Sequence, residues 1–421
     1  MSSSIVSLSR EDIAVFLLLS TPAHIDNKAD LISCRKKEDA LDSRISGRIV
    51  RTPEGYPAFA PDSLPPELTW TPEMVRALSD ADRSLGRLAG EGAWLPNLHL
   101  LIRAFIRREA VLSSRIEGTQ ASLGELLAAE AGASVDRSPA DLREVANYVV
   151  ALEYGVERLS SLPLSLRLLR ELHARLMEGV RGGQATPGEF RRSQNWIGPP
   201  GSRPENATYV PPPPAEMLEA LESLESFLHD TSLPPLVQAA LLHYQFEAIH
   251  PFLDGNGRVG RLLITLFLLE KALLPAPLLY LSAFFEATRP EYYGRLLGVS
   301  QRGEWNAWIE YFLNGVARQS EDAVSRAARI NGLLDRWRSS FAGAPSRATV
   351  DLVNLLGENP YWTVPGVAKR LEVAYTTAQR AVQRLEMEGI LSPLTDARRD
   401  RVYCAQAILE ILEEPARLSL G

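Results

Sequence analysis

The sequence predicts a mainly α-helical protein whose helical body is interrupted by one β-hairpin and followed by a small helix-turn-helix module backed by strands. Apolar residues recur at helical spacing over most of the chain from Thr71 to Trp337. Two short β-type runs, 190–198 and 207–210, flank a single loop. After Pro345 the order is helix, turn, helix, strand, polar hairpin, strand. A chain of 421 residues is too long for one simple core and implies two or three domains.

Composition narrows the class. Hydrophobic content of 45% and charged content of 23% are those of an ordinary globular protein, and a net charge of −7 argues against a chain built to coat nucleic acid. The two cysteines, Cys34 and Cys404, lie far apart and form no metal or disulfide pattern, which points to a reducing compartment. The apolar run 13–20 follows Glu11 and Asp12, lacks a clean cleavage site and falls short of the ~20 residues a membrane span needs. The expected location is the cytoplasm, with no membrane partner.

Residues 1–47 mix charge clusters with that apolar run and predict a weakly ordered extension. Region 48–140 is expected to be extended and proline-rich through Pro65 and Pro66, then helical from Thr71, an N-cap with Pro72 at the first helical position, to about 88. A second helix covers 96–110. Region 141–320 holds amphipathic runs at 141–159 and 164–177, the hairpin, and helices at 216–228, 235–249, 278–285, 291–299 and 305–319. An isolated hairpin is marginal, so this one must pack on the helical body. A charged helix, 322–337, links to the last region, 345–421, within a linker segment 321–344. There 349–356 and 364–371 are helices. A third helix carries Thr376, Thr377, Gln379, Arg380 and Gln383 outward, while Arg398, Arg399 and Arg401 decorate a wing. This is the order of a winged helix, which presents such a helix to DNA or docks a protein; Glu372, Glu386, Glu388, Asp396 and Asp400 offset much of its positive charge.

The chemistry concentrates at 250–261, His-Pro-Phe-Leu-Asp-Gly-Asn-Gly-Arg-Val-Gly-Arg. Gly255, Asn256 and Gly257 let backbone N–H groups approach an anion, and the helix that follows adds its N-terminal dipole. Arg258 and Arg261 flank the turn, making a phosphate cradle. Asp254 is a hard oxygen donor suited to Mg²⁺, which binds through one or two carboxylates plus substrate phosphates. His250 stands where a base meets a nucleophile. The string predicts a nucleotide site that does chemistry. His243, one helix face back, lacks the further ligands of a metal site and reads as packed; His229-Asp230 reads as an exposed helix cap.

The same string resembles the signature of the Fic family, H-x-F-x-[D/E]-G-N-G-R-x-x-R, at every specified position. The resemblance implies a protein adenylyltransferase that moves AMP from ATP to a Ser, Thr or Tyr hydroxyl of a target protein, or of itself. His250 would be the base, Asp254 the Mg²⁺ ligand, and Arg258 and Arg261 the partners of the β- and γ-phosphates. Residues Gly255 to Arg261, with Val259 and Gly260 among them, would form the ATP site. The hairpin matches the family's flap, with Asn195, Trp196, Ile197 and Gly198 nearest the nucleotide, and Tyr292 and Tyr293 match aromatics beside the adenine. Ser113-x-x-x-Glu117-Gly118 matches the family's inhibitory motif, in which Glu117 would engage Arg261 and hold ATP in an unproductive pose. A helix end closed by Gly118 is the plainer reading of that hexad. The alternatives are a de-AMPylase using the same site and a nucleotide-sensing transcription regulator. DNA at the winged helix and a second copy of the chain are the further candidate partners.

Overall fold

The computed structural model describes residues 46–94, 98–133, 135, 138–180, 186–199, 201–341, 347–394 and 401–416. The expected N-terminal extension up to residue 45 and most of the wing, with Arg398 and Arg399, lie outside them. The chain is mostly helical with small antiparallel sheets. Its described residues divide into two units. One comprises those up to Ala81 with Glu157–Glu270 and Thr288–Gly315; the other comprises Asp82–Val156, Lys271–Ala287 and the residues from Val316 onward.

In the first unit, strands β1 (Gly47–Arg51) and β2 (Pro57–Pro61) pair antiparallel, Ile49 opposite Phe59. Strand β1 thus starts at the last residue of the expected extension. Helix α1 (Pro72–Trp94) starts where expected: the Thr71 hydroxyl accepts the Met74 N–H at 3.2 Å.

Helices α5 (Leu166–Leu176), α6 (Pro214–Leu228), α7 (Pro235–Ile249), α8 (Asn256–Glu270) and α10 (Arg289–Arg302) complete the first unit's regular structure, with the start of α11 (Trp305–Ser340). Helix α7 is its centre, buried along nearly its whole length, which requires each polar group on it to find a partner. Gln238 donates to the Phe227 carbonyl at the end of α6 at 2.7 Å, and Gln245 to the Asp62 carbonyl at 2.8 Å. Tyr244 shares a hydrogen bond with Ser300 at 2.9 Å, and Trp308 donates to the Ala240 carbonyl at 2.9 Å.

The second unit is built on α2 (Leu98–Ile116), joined by α3 (Leu123–Glu130), most of α4 (Pro139–Arg158), α9 (Ser282–Ala287) and the C-terminal elements. The latter are α12 (Arg347–Leu356), β3 (Tyr361–Thr363), α13 (Val364–Leu371), α14 (Tyr375–Met387), β4 (Ser392–Pro393), β5 (Val402–Cys404) and α15 (Gln406–Glu413). The three strands form an antiparallel sheet in the order β3-β5-β4. Helix α15 lies on α2, where Arg108 donates to the Leu412 carbonyl at 2.9 Å.

Several elements differ from expectation. The runs 190–198 and 207–210 meet only at the bridge Ile197–Tyr209 and form no extended ladder. The Arg191 N–H goes to the Pro251 carbonyl instead, and Pro199 and the prolines at 211–214 have no N–H to give. The helix expected at 278–285 begins only at Ser282, after Pro275 and Pro277. The two helices expected at 305–319 and 322–337 are one, α11. Helix α3, missed at the sequence level, is announced by a capping box: Ser122 accepts the Glu125 N–H at 3.1 Å and Glu125 accepts the Ser122 N–H at 2.8 Å.

Candidate active site

His250 ends α7 in the left-handed conformation, φ 49° and ψ 61°, which turns the chain out of the helix. For a residue other than glycine this conformation costs about 1–2 kcal/mol, so the surroundings must hold it. The His250 side chain sits in a residue only 7% exposed, with Nδ1 3.3 Å from the Glu247 carbonyl. A carbonyl only accepts, so Nδ1 carries the proton and the lone pair of the neutral ring is on Nε2.

The loop after His250 is fixed by side chains. The Asn256 amide closes back on Phe252, accepting its N–H and donating to its carbonyl, both at 2.8 Å. Asn195 donates to the Phe252 carbonyl at 2.8 Å and to the His250 carbonyl at 3.3 Å. Both asparagines are therefore struts of the loop. Phe252 is fully buried and stacks on His173 with centroids 3.8 Å apart and planes within 6°. His173 accepts the Gly188 N–H on Nδ1 at 2.8 Å and so donates from Nε2 to the Asp254 carbonyl at 3.0 Å. Burial, and secondarily the Arg258 guanidinium, lowers its pKa to about 4, so it stays neutral.

Gly255 has φ +78°, and a Cβ there would lie 3.0 Å from Met177 Sδ and 3.2 Å from Leu176 Cδ2. The glycine is required by conformation and by the close passage over α5. Its carbonyl accepts the Val259 N–H at 3.0 Å as α8 begins, and Gly257 lies partly exposed in the first turn. Gly260 admits the neighbouring helix: a Cβ would meet the Glu247 carboxylate at 2.5 Å and Phe246 at 3.2 Å. Asp254 accepts the Gly255 N–H at 2.6 Å, keeps a third of its side chain exposed, and lies 3.8 Å from Arg258. Arg258 and Arg261, one turn apart, are 4% and 3% exposed. Two guanidiniums in a poorly hydrated setting beside a helix N-terminus make a strongly anion-attracting surface.

Tyr292, expected beside the adenine, packs into the core. At 1% exposure it is a core residue, its hydroxyl 2.8 Å from His243 Nε2, while His243 Nδ1 bonds the Gly260 carbonyl at 3.0 Å. Burial, with Arg261 second, pushes His243 down to about 3. The pair supports α8 from below; Tyr293 is the partly exposed ring. Trp196 donates to the Ser202 carbonyl at 3.0 Å, Ile197 holds the bridge to Tyr209, and Gly198 leaves room for the Ser202 hydroxyl, 2.5 Å from where its Cβ would be. Arg191 escaped sequence reading. It is 2% exposed and its Nε donates to the His250 carbonyl at 2.9 Å; an arginine within a short β-type run gives no sign of burial.

Ser113, Glu117 and Gly118 belong to the other unit, at the end of α2. Gly118, φ +96°, sends its N–H to the Arg115 carbonyl at 3.0 Å, and Thr119 sends its N–H to the Ser114 carbonyl at 3.1 Å. These are the two bonds of a Schellman closure, so Gly118 terminates the helix and Glu117 is the last residue before it. Ser113 is fully buried.

The residues fit one divalent cation with phosphate co-ligands. Asp254 offers a single oriented, part-exposed carboxylate beside the anion surface, and no cluster of three or more acidic, His or Cys groups suited to a metal occurs among the described residues. Among those residues, too, no helix is long and apolar enough to cross a membrane.

Residues 75–157 match the Fic/DOC family N-terminal model and residues 163–268 the Fic/DOC family model. A curated relative, protein adenylyltransferase fic-1 of Caenorhabditis briggsae, is 31% identical over 259 residues, 59% of this chain and 43% of that protein. Protein adenylyltransferase Fic of Drosophila willistoni is 30% identical over 218 residues, 49% of this chain and 41% of that protein. The chain thus spans under half the length of either relative. A crystal structure of a Fic family protein from Desulfovibrio desulfuricans G20 superposes with a TM-score of 0.54 at 22% identity, covering 81% of this chain and 98% of that one; it shares the fold.

Proposed function

Residues 75–157 and 163–268 make this chain a member of the Fic/DOC family, and from that premise we propose that it is a protein adenylyltransferase, transferring AMP from ATP to a Ser, Thr or Tyr hydroxyl of a target protein and of itself. The observation that carries the reading is the complete signature on one loop, with a buried imidazole at the end of α7 and a glycine turn and two buried arginines at the start of α8.

The hydroxyl oxygen attacks the α-phosphorus in line, an O–P bond forms, and the bond to the bridging oxygen of pyrophosphate breaks. His250 Nε2 takes the hydroxyl proton, its ring oriented through Nδ1 and the Glu247 carbonyl. Arg258 and Arg261 offset the charge on the departing β- and γ-phosphates, with the N–H groups of the first turn of α8. Asp254 would hold Mg²⁺, which when bound neutralises phosphate charge. Positioning and charge stabilisation supply the catalysis; the chain contributes no covalent step. Glu117 is the proposed brake on the transfer, as the resemblance of its hexad to the inhibitory motif implies.

The C-terminal elements are proposed to be a winged helix. Tyr375, Thr376, Gln379, Arg380 and Gln383 are exposed along one face of α14, which supports DNA as a second partner; a salt-controlled gel shift tests it. Intact-mass analysis of the purified chain with Mg²⁺-ATP tests the main reading. A gain of one adenylate, labelled from α-phosphate and not from γ-phosphate ATP and lost in His250→Ala, is expected. Labelling from the γ-phosphate makes the protein a kinase instead, and removal of AMP from a premodified target makes it a de-AMPylase.

A further inference from the structure

We propose that Arg191 is a positioning residue for His250, and that through it the segment 193–212 sets the geometry of the proposed base. The inference rests on the adenylyltransferase reading, in which that segment is the flap that receives the target. A non-glycine residue keeps a left-handed backbone only where its surroundings over-determine it. At His250 they do so chiefly through one side chain. Arg191 Nε donates to the His250 carbonyl at 2.9 Å, Nη2 reaches the Ile249 carbonyl at 3.4 Å, and the Arg191 N–H donates to the Pro251 carbonyl at 2.9 Å. Three successive carbonyls are fixed by a single residue.

The rest of the guanidinium holds both ends of the flap. Nη1 donates to the Ser193 carbonyl at 3.2 Å, and Nη2 donates to the Pro212 carbonyl. No carboxylate takes part in these bonds; the cation is satisfied by carbonyls, two of them at the C-terminal end of α7, where the helix dipole is negative. Burial lowers its pKa only to about 10, so it remains charged at neutral pH. The task needs a planar fork, which an ammonium does not supply. Rotation of the peptide after His250 would turn the imidazole and break the Nδ1 contact with Glu247 that selects the tautomer. Movement of the flap and orientation of the base are thereby joined at one guanidinium.

The test compares Arg191→Lys with its parent, both carrying Glu117→Gly, with ATP and Mg²⁺. The turnover number for AMP transfer should fall by roughly 10²-fold, the cost of a small misplacement, with KM for ATP unchanged. The His250 ring, read by nitrogen NMR, should be the Nδ1–H tautomer in the parent and a mixture in the variant. If Arg191→Lys does not fold, Asn195→Ala, which removes the other donor to the His250 carbonyl, is expected to shift the tautomer in the same direction. A folded variant with parental turnover and parental tautomer overturns the proposal, as does a turnover loss accompanied by an unchanged tautomer. A parent that takes no label from α-phosphate ATP overturns the adenylyl-transfer reading instead, and the tautomer measurement still decides the positioning claim.

Discussion

In the proposed mechanism His250 carries the proton transfer in one titratable ring, and its removal should cost what a general base supplies. His250→Ala is expected to keep its thermal transition and lose roughly 10²–10⁴-fold in turnover, measured by single-turnover AMP transfer. His173 and His243 do different work: both are buried as neutral rings with pKa values lowered to about 4 and about 3. Between those values and the usual histidine range near 6.5 the unfolded chain binds more protons than the folded one, so stability falls as pH drops through that window. Each ring contributes a slope of at most about 1.4 kcal/mol per pH unit. Urea midpoints should therefore decline from pH 7 to pH 4.5, and less steeply in His173→Gln.

At the scale of elements, the turn between α7 and α8 is specified by backbone shape. Gly255→Ala places a Cβ at positive φ and against Met177, and should destabilise by roughly 1–3 kcal/mol. Urea unfolding measures this, and an unchanged midpoint would show that α5 yields. At the end of α2, Glu117 sits between helix and Schellman closure, where a glycine costs little more than helix propensity. Glu117→Gly should keep the fold and raise auto-modification with Mg²⁺-ATP; equal incorporation by the two proteins would remove the brake from the account.

At the scale of the molecule, the C-terminal elements brace the second unit. Arg108, partly buried, and Arg326, buried, donate to carbonyls at the end of α15, Arg108 to Leu412 at 2.9 Å and Arg326 to Glu414 at 2.9 Å and Pro415 at 3.0 Å. Asp322 bonds Arg326 at 2.7 Å and lies 3.9 Å from Arg108. Burial, and the nearby Arg326 charge, lowers the Arg108 pKa to about 10. Truncation after Phe341 would leave both guanidiniums without those carbonyls, and losing a hydrogen bond to a charged group typically costs about 1.5–3 kcal/mol. The truncated chain should melt well below the full chain, by calorimetry. A matching melting temperature would make the C-terminal elements an independent appendage.

The sequence by itself determined the loop's residue pattern and the helices around it. The signature is contiguous, and the caps at Thr71 and Thr363 and the start of α7 at Pro235 are local choices of backbone and side chain, legible without a fold. Tertiary structure decided what each polar group is spent on. Asn195 and Asn256 became struts, Tyr292 a core partner of His243, and the expected strand pairing at 190–210 gave way to bonds between Arg191 and the loop after α7. Apart from the local closure of Asn256 on Phe252, those outcomes depend on residues brought together from far apart in the chain. A buried donor must find an acceptor somewhere, and only the folded chain determines which one is within reach.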